Sequence, residues 1–147
     1  MNADFLFQWS NRLAMAGWIL LIVLPRFRWT ARLVTAVVIP AVLGVLYVFL
    51  AVRYVMGEMS SFGSLSGVSA MLQTPEVMLA GWLHYLAFDL FVGSWEVRDA
   101  QAGGISHLVV IPCLLLTFVL GPTGLLAYLI LRFAWRRRIH VEVPAHA

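Results

Sequence analysis

Asp89 and Glu96 stand two helical turns apart, with His84 five residues before the first and Asp99 three residues after the second. Carboxyl and imidazole groups are the side chains that give and take protons, so acid–base chemistry is the first reading. At about 100° per residue, His84, Tyr85, Asp89, Glu96 and Asp99 share less than half of one helix circumference, and Arg98 falls outside it. Leu83, Leu90 and Phe91 take the opposite side. The surrounding stretch, GWLHYLAFDLFVGSWEVRDA (residues 81–100), is flanked by apolar sequence. A charge at a bilayer centre costs about 2.5–3.5 kcal/mol on insertion scales. Asp89 must therefore face a bundle interior or a wet cavity.

Two other chemistries compete with proton transfer. Asp89 and Glu96 lie about 10 Å apart along a helix axis and cannot share one ion. Glu96, Asp99 and His107 could, yet the paired Glu-x-x-His arrangement of two-helix carboxylate sites is missing, so no metal is expected. No second motif accompanies His84 to suggest haem, and no cofactor is expected. A structural reading stands beside the catalytic one. Arg12 and Asp89 fall at similar depths in their spans, so a buried Asp89–Arg12 pair would satisfy both. Glu96 and Asp99 could pair with Arg26, Arg28 or Arg98 in the headgroup zone, and His84 could bond a backbone carbonyl.

The elements that would hold these residues are membrane helices. The chain is 62% apolar and 12% charged, with a mean hydropathy of +0.90; a soluble domain of 147 residues cannot hide that much apolar surface. Its ten basic residues are all arginine. They gather at span ends, with no basic stripe to track a nucleic acid. Cys113 is alone in an apolar run, which reads as core packing and rules out a disulfide framework. Four segments approach the roughly 20 apolar residues of a span: about 5–25, 33–55, 76–97 and 107–132. The expected fold is all-α, an integral membrane four-helix bundle in a single domain over residues 1–147.

Helix signals are clearest around the third span. Thr74 suits an N-cap, Pro75 the first helical position and Glu76 the positive end of the helix dipole. Gly103-Gly104 marks the far end. A faint two-plus-two repeat links Gly17-Trp18 to Gly81-Trp82, and VVIP at 37–40 to VVIP at 109–112. The Ser-, Gly- and Met-rich segment 56–75 reads as an interfacial lid or a surface connection. An even span number puts both termini on one side. Arg53, Arg132, Arg136, Arg137 and Arg138 there outnumber Arg26, Arg28, Arg32 and Arg98, which favours cytoplasmic termini. The tryptophans fall where interfacial belts lie, while Trp82, Tyr85 and Phe88, with Arg12, could instead line a slot for a long apolar ligand.

The stretch SFGSLSGVSAMLQTPEVMLAGWLHYLAFDLFVGSWEVRDA, with HLVVIPCLLLTFVLGPTGLLAYLILR, Gly17-Trp18 and LPRFRWTARL, resembles the plant abscisic-acid-deficient-4 membrane protein family. That family has bacterial and algal members. The plant protein is implicated in converting the epoxide carotenoid violaxanthin to neoxanthin, and the resemblance implies a small four-helix membrane protein. An acid would protonate the epoxide oxygen and a base would take a proton from the adjacent polyene carbon. Asp89, His84 and Glu96 are the candidates for those roles. With no transit peptide, the chain is expected to be a bacterial member, multi-pass in the inner membrane. Its expected contacts are membrane lipid and a carotenoid or other isoprenoid ligand, without nucleic acid. Two functions follow: an isomerase-like or lipophile-handling protein, or a non-catalytic one that binds lipid or a partner or conducts protons or small solutes.

Overall fold

The computed structural model describes residues 2–27 and 29–136, without the side chain of Arg136. Arg28, Arg137 and Arg138, counted above for orientation, lie outside the described residues. Six helices and no strand form among the described residues. Helix α1 (Ala3–Val23) opens on Asn2, whose side chain accepts from the amides of Asp4 and Phe5. A turn through Pro25 leads to α2 (Thr30–Gly63). This long helix starts π-wound over Thr30–Val38, tightens to α over Ile39–Leu50, and ends in a 3₁₀ stretch, Met56–Gly63. Pro40 has no amide to donate back to the preceding turn, and the widened winding precedes it. The segment expected as a lid is thus mostly helical, continuing through α3 (Leu65–Met71).

Helix α4 (Pro75–Ala102) is the hub, packed against α1, α2 and the two helices that follow. Thr74 takes its N-cap position, although its hydroxyl makes no cap bond. Trp18 closes over Gly93, where a Cβ would stand 2.6 Å from the indole ring, and Gly17 meets Leu90 in the same way. Apolar residues such as Val37, Val45 and Val52 point outward from α2, as lipid contact requires.

The expected fourth span is two helices, α5 (His107–Leu120) and α6 (Pro122–Arg136). Gly121 turns the chain between them with φ +46°, a conformation that favours glycine. Pro122, which cannot extend the preceding helix, starts the next. A Cβ on Gly124 would collide with the Thr117 backbone nitrogen, so the two arms press together. Descending α5 brings Thr117 to Glu96 and Gly121 to Asp89; ascending α6 brings Tyr128 and Arg132 back to Asp99. The hairpin therefore enters and leaves at the same end of α4. Each arm is about 21–23 Å long, short of a hydrocarbon core of about 30 Å.

Among the described residues three helices are long and apolar enough to cross a membrane, α1, α2 and α4, and a hairpin stands where a single fourth span was expected. The two-plus-two repeat does not carry over: Trp18 is buried, while Trp82 is 37% exposed. Nor does the start of α1 meet the end of α6. The start of α1 lies by the start of α4, with Phe7 against Trp82, and α6 finishes by the far end of α4.

Candidate functional site

The hairpin covers only the upper part of the acidic face of α4. At its top, Asp99 is 8% exposed, and its Oδ2 accepts from the Tyr128 hydroxyl at 2.6 Å and from Arg132 Nε at 2.8 Å. Arg132 is 2% exposed. The expected partners of Asp99 were Arg26, Arg28 and Arg98. Arg98 instead donates to the Ala31 carbonyl at 3.0 Å. A single fourth span would leave Arg132 across the membrane from Asp99, and the reversal at Gly121 is what returns it.

One turn lower, Glu96 is fully buried. Its Oε1 accepts from the Thr117 hydroxyl at 2.9 Å, while its Oε2 has no hydrogen-bond partner among the described residues. Lower still, Asp89 is half-buried beneath the hairpin tip. A Cβ at Gly121 would stand 3.1 Å from both of its oxygens, so the bare glycine is what lets the backbone approach the carboxyl. Asp89 Oδ2 is buried and has no partner among the described residues.

Below the tip the face of α4 is not covered by the hairpin. Tyr85, one turn before Asp89, donates to the Phe118 carbonyl at 3.3 Å and stacks on Trp82, centroids 5.3 Å apart. The Trp82 indole donates to Asn11 Oδ1 at 2.9 Å and leans on Phe7. Trp82 and Phe7 then line a groove of ≈ 400 Å³ with Ala3, Asp4, Pro75, Met78 and Leu79. An aromatic wall thus runs from that groove to the Asp89 carboxyl. Such a wall suits an apolar or conjugated ligand, with a proton-transferring group at its upper end.

The other expected site residues lie elsewhere. His84 faces outward and stacks on Phe88, centroids 4.4 Å apart, with the Tyr47 ring tilted beside it at 5.7 Å. Phe88 is exposed on that flank. Five residues advance a helix by more than a third of a turn beyond full circles, enough to move His84 off the face that carries Asp89. Arg12 is exposed, and no ion pair joins it to Asp89 among the described residues. Its residue is on α1, which α4 meets through Gly17 and Trp18 rather than through that position. The suggested Glu96, Asp99 and His107 metal set is dispersed: His107 Nε2 lies 3.0 Å from the Ile22 carbonyl. No group of three or more His, Cys, Asp or Glu among the described residues could hold a metal. Cys113 is buried beside the core, unpaired as a disulfide.

Sequence reasoning missed Thr117, Gly121, Tyr128 and Arg132. Two signals for them were present. Gly121-Pro122 is a strong break inside an apolar run, and Tyr128 and Arg132, four apart, share one face of a helix.

No curated protein and no solved structure matches the chain. A family model described as ABA DEFICIENT 4-like matches residues 5–128, which takes in Asp89, Glu96, Asp99, Thr117 and Gly121. The match runs from α1 into α6, and the chain belongs to the ABA DEFICIENT 4-like family.

Proposed function

We propose that this chain is a multi-pass membrane protein that binds a long apolar ligand of isoprenoid type beneath the hairpin tip and moves a proton on it, as an isomerase would. Asp89 is the ligand-facing acid–base group. Tyr85, Trp82 and Phe7 form the wall against which the ligand lies. The observation that carries this reading is the buried Asp89 Oδ2, without a hydrogen-bond partner among the described residues at the end of an aromatic wall. Buried polar atoms are almost always paired, so a buried carboxyl oxygen without a partner among the described residues is a candidate for contact with something the protein binds. As a carboxylate it accepts a proton, and as the acid it returns one, which is the pair of events an isomerisation needs. The resemblance to the carotenoid-epoxide family supports a polyene or related isoprenoid as the class of ligand. Membership of that family and the three apolar helices support a membrane location, and the bacterial inner membrane is the proposed one.

The test is extraction of pigment and lipid from protein purified out of its own membranes, beside Asp89→Asn. Chromatography with absorbance and mass detection should find a co-purifying polyene or isoprenoid whose form or amount differs between the two samples. Ordinary phospholipid alone, identical in both, would sink the proposal and favour the non-catalytic reading.

A further inference from the structure

Every carboxyl group among the described residues is placed away from one group of arginines. Asp4 and Glu76 stand in the first turns of α1 and α4, and Glu58 lies in the 3₁₀ stretch that ends α2. Asp89 and Glu96 face the hairpin through Gly121 and Thr117. Asp99 is held by Arg132. Glu96 and Asp99, the partners expected for Arg26 and Arg98, are thus engaged elsewhere. At the end of α4 by Gly103, Arg26, Arg32 and Arg98 have no carboxylate partner among the described residues.

Two contacts gather these arginines. Arg98 is half-buried, and its Nη1 donates to the Ala31 carbonyl at 3.0 Å, which sets the guanidinium beside the residue that precedes Arg32. Arg32 is the charge that bears on it. Gln101 Nε2 donates to the Pro25 carbonyl at 2.6 Å and pins the turn that carries Arg26 to the same end of α4. Phe27 and Trp29, 63% and 70% exposed, project from that turn. A guanidinium has five N–H donors, and the Ala31 carbonyl takes one of those on Arg98. Two positive charges held together at a partly desolvated position repel each other unless an anion joins them.

We infer that Arg98 and Arg32, with Arg26 at the rim, form a seat for the phosphate of an anionic phospholipid. Charge, donor geometry and position agree. A phosphodiester presents two charged oxygens, which suit the planar forks of two guanidinium groups. The seat lies at the end of a helix long and apolar enough to cross a membrane, where headgroups reach it and exposed tryptophan is at home. Phosphatidylcholine carries the same phosphodiester but adds an ammonium that the arginines repel. Phosphatidylglycerol adds only hydroxyls and is the lipid the seat favours. Arg98 stands nine residues beyond Asp89, about 14 Å along the helix. The seat therefore goes beyond the proposed ligand site and shares with it only the membrane location.

Native mass spectrometry tests this on the full chain in detergent, titrated with phosphatidylglycerol or with phosphatidylcholine of the same acyl chains. Phosphatidylglycerol should bind more tightly. Arg32→Gln and Arg98→Gln should each weaken it about fivefold, the effect of one arginine near an anionic headgroup. The double change should bring it to the level of phosphatidylcholine. Arg53→Gln is the control: that side chain is exposed and lies over the Tyr54 ring at 5.5 Å, toward the other end of α4, and its loss should leave the preference unchanged. Inorganic phosphate, without acyl chains, should fail to displace the lipid at millimolar concentration. Equal binding of the two lipids, or a loss in Arg53→Gln as large as in Arg32→Gln, would overturn the seat. Ready displacement by inorganic phosphate would also overturn it, in favour of a site for free anions. Arg32 is exposed, so Arg32→Gln decides should Arg98→Gln fail to fold. Extraction of no isoprenoid leaves this lipid preference standing, and equal binding of the two phospholipids leaves the Asp89 ligand standing, so the two proposals fail separately.

Discussion

Asp99, Tyr128 and Arg132 show what a buried charge demands. Each of Asp99 and Arg132 would be costly alone, and together they are matched by ionic and hydrogen bonds at 2.6–2.8 Å. Either change breaks a buried ion pair, so Asp99→Asn or Arg132→Ala should each cost about 3–5 kcal/mol. Thermal or denaturant unfolding in detergent would measure it, and an apolar double replacement should regain much of the loss. Arg12→Ala is the contrast: that side chain is exposed and should change stability by no more than about 0.5 kcal/mol. A loss like that of Arg132→Ala would revive the Arg12–Asp89 pair. Gly121→Ala should cost about 1–2 kcal/mol for its left-handed backbone alone, and its methyl would also press on Asp89. The same extraction experiment should then find less bound ligand. The acidic stripe itself was legible, because a 3.6-residue period places Tyr85, Asp89, Glu96 and Asp99 together whatever surrounds them. Their partners were not, since the positions of Thr117 and Arg132 depend on a turn that periodicity does not register.

That turn decides the element scale. Residues 107–132 are apolar on both sides of Gly121, so hydropathy reads one span where the backbone makes two short arms. Helices α1 and α4 were easier, because Pro25, Pro75 and Gly103 punctuate them in sequence. Helix α2 outran its expected end near residue 55 because Ser, Gly and Met between 56 and 63 dilute the apolar signal without stopping the helical winding. The hairpin makes a clear prediction for side-specific labelling. With Cys113 replaced by serine, single cysteines at Gln101 and Trp135, both exposed, should react with a membrane-impermeant thiol reagent from the same side. Labelling from opposite sides would mean that α5 and α6 cross the membrane as one span.

Over the whole molecule, the proposed multi-pass reading predicts that α1, α2 and α4 each cross, which would put the residue-3 end and the residue-136 end on opposite faces, against the expectation of both on one side. Arg26, Arg32, Arg98 and Arg132 collect near the end of α4 by Gly103, and Arg53 lies toward the other. On that topology the positive-inside rule predicts the residue-136 end in the cytoplasm and the residue-3 end across the membrane. Reporter domains fused at each end should give opposite signals; matching signals would refute the three-crossing topology. The hairpin also has a consequence for how the chain is made. Ribosomes deliver α4 to the bilayer before α5 and α6 exist, so Asp99 must wait there without Arg132 or Tyr128. The hairpin, too short to cross, can only settle by docking on a helix already in place. Assembly therefore has an order, and a nascent chain arrested before residue 128 should be a better substrate for membrane quality-control proteases than one released at full length.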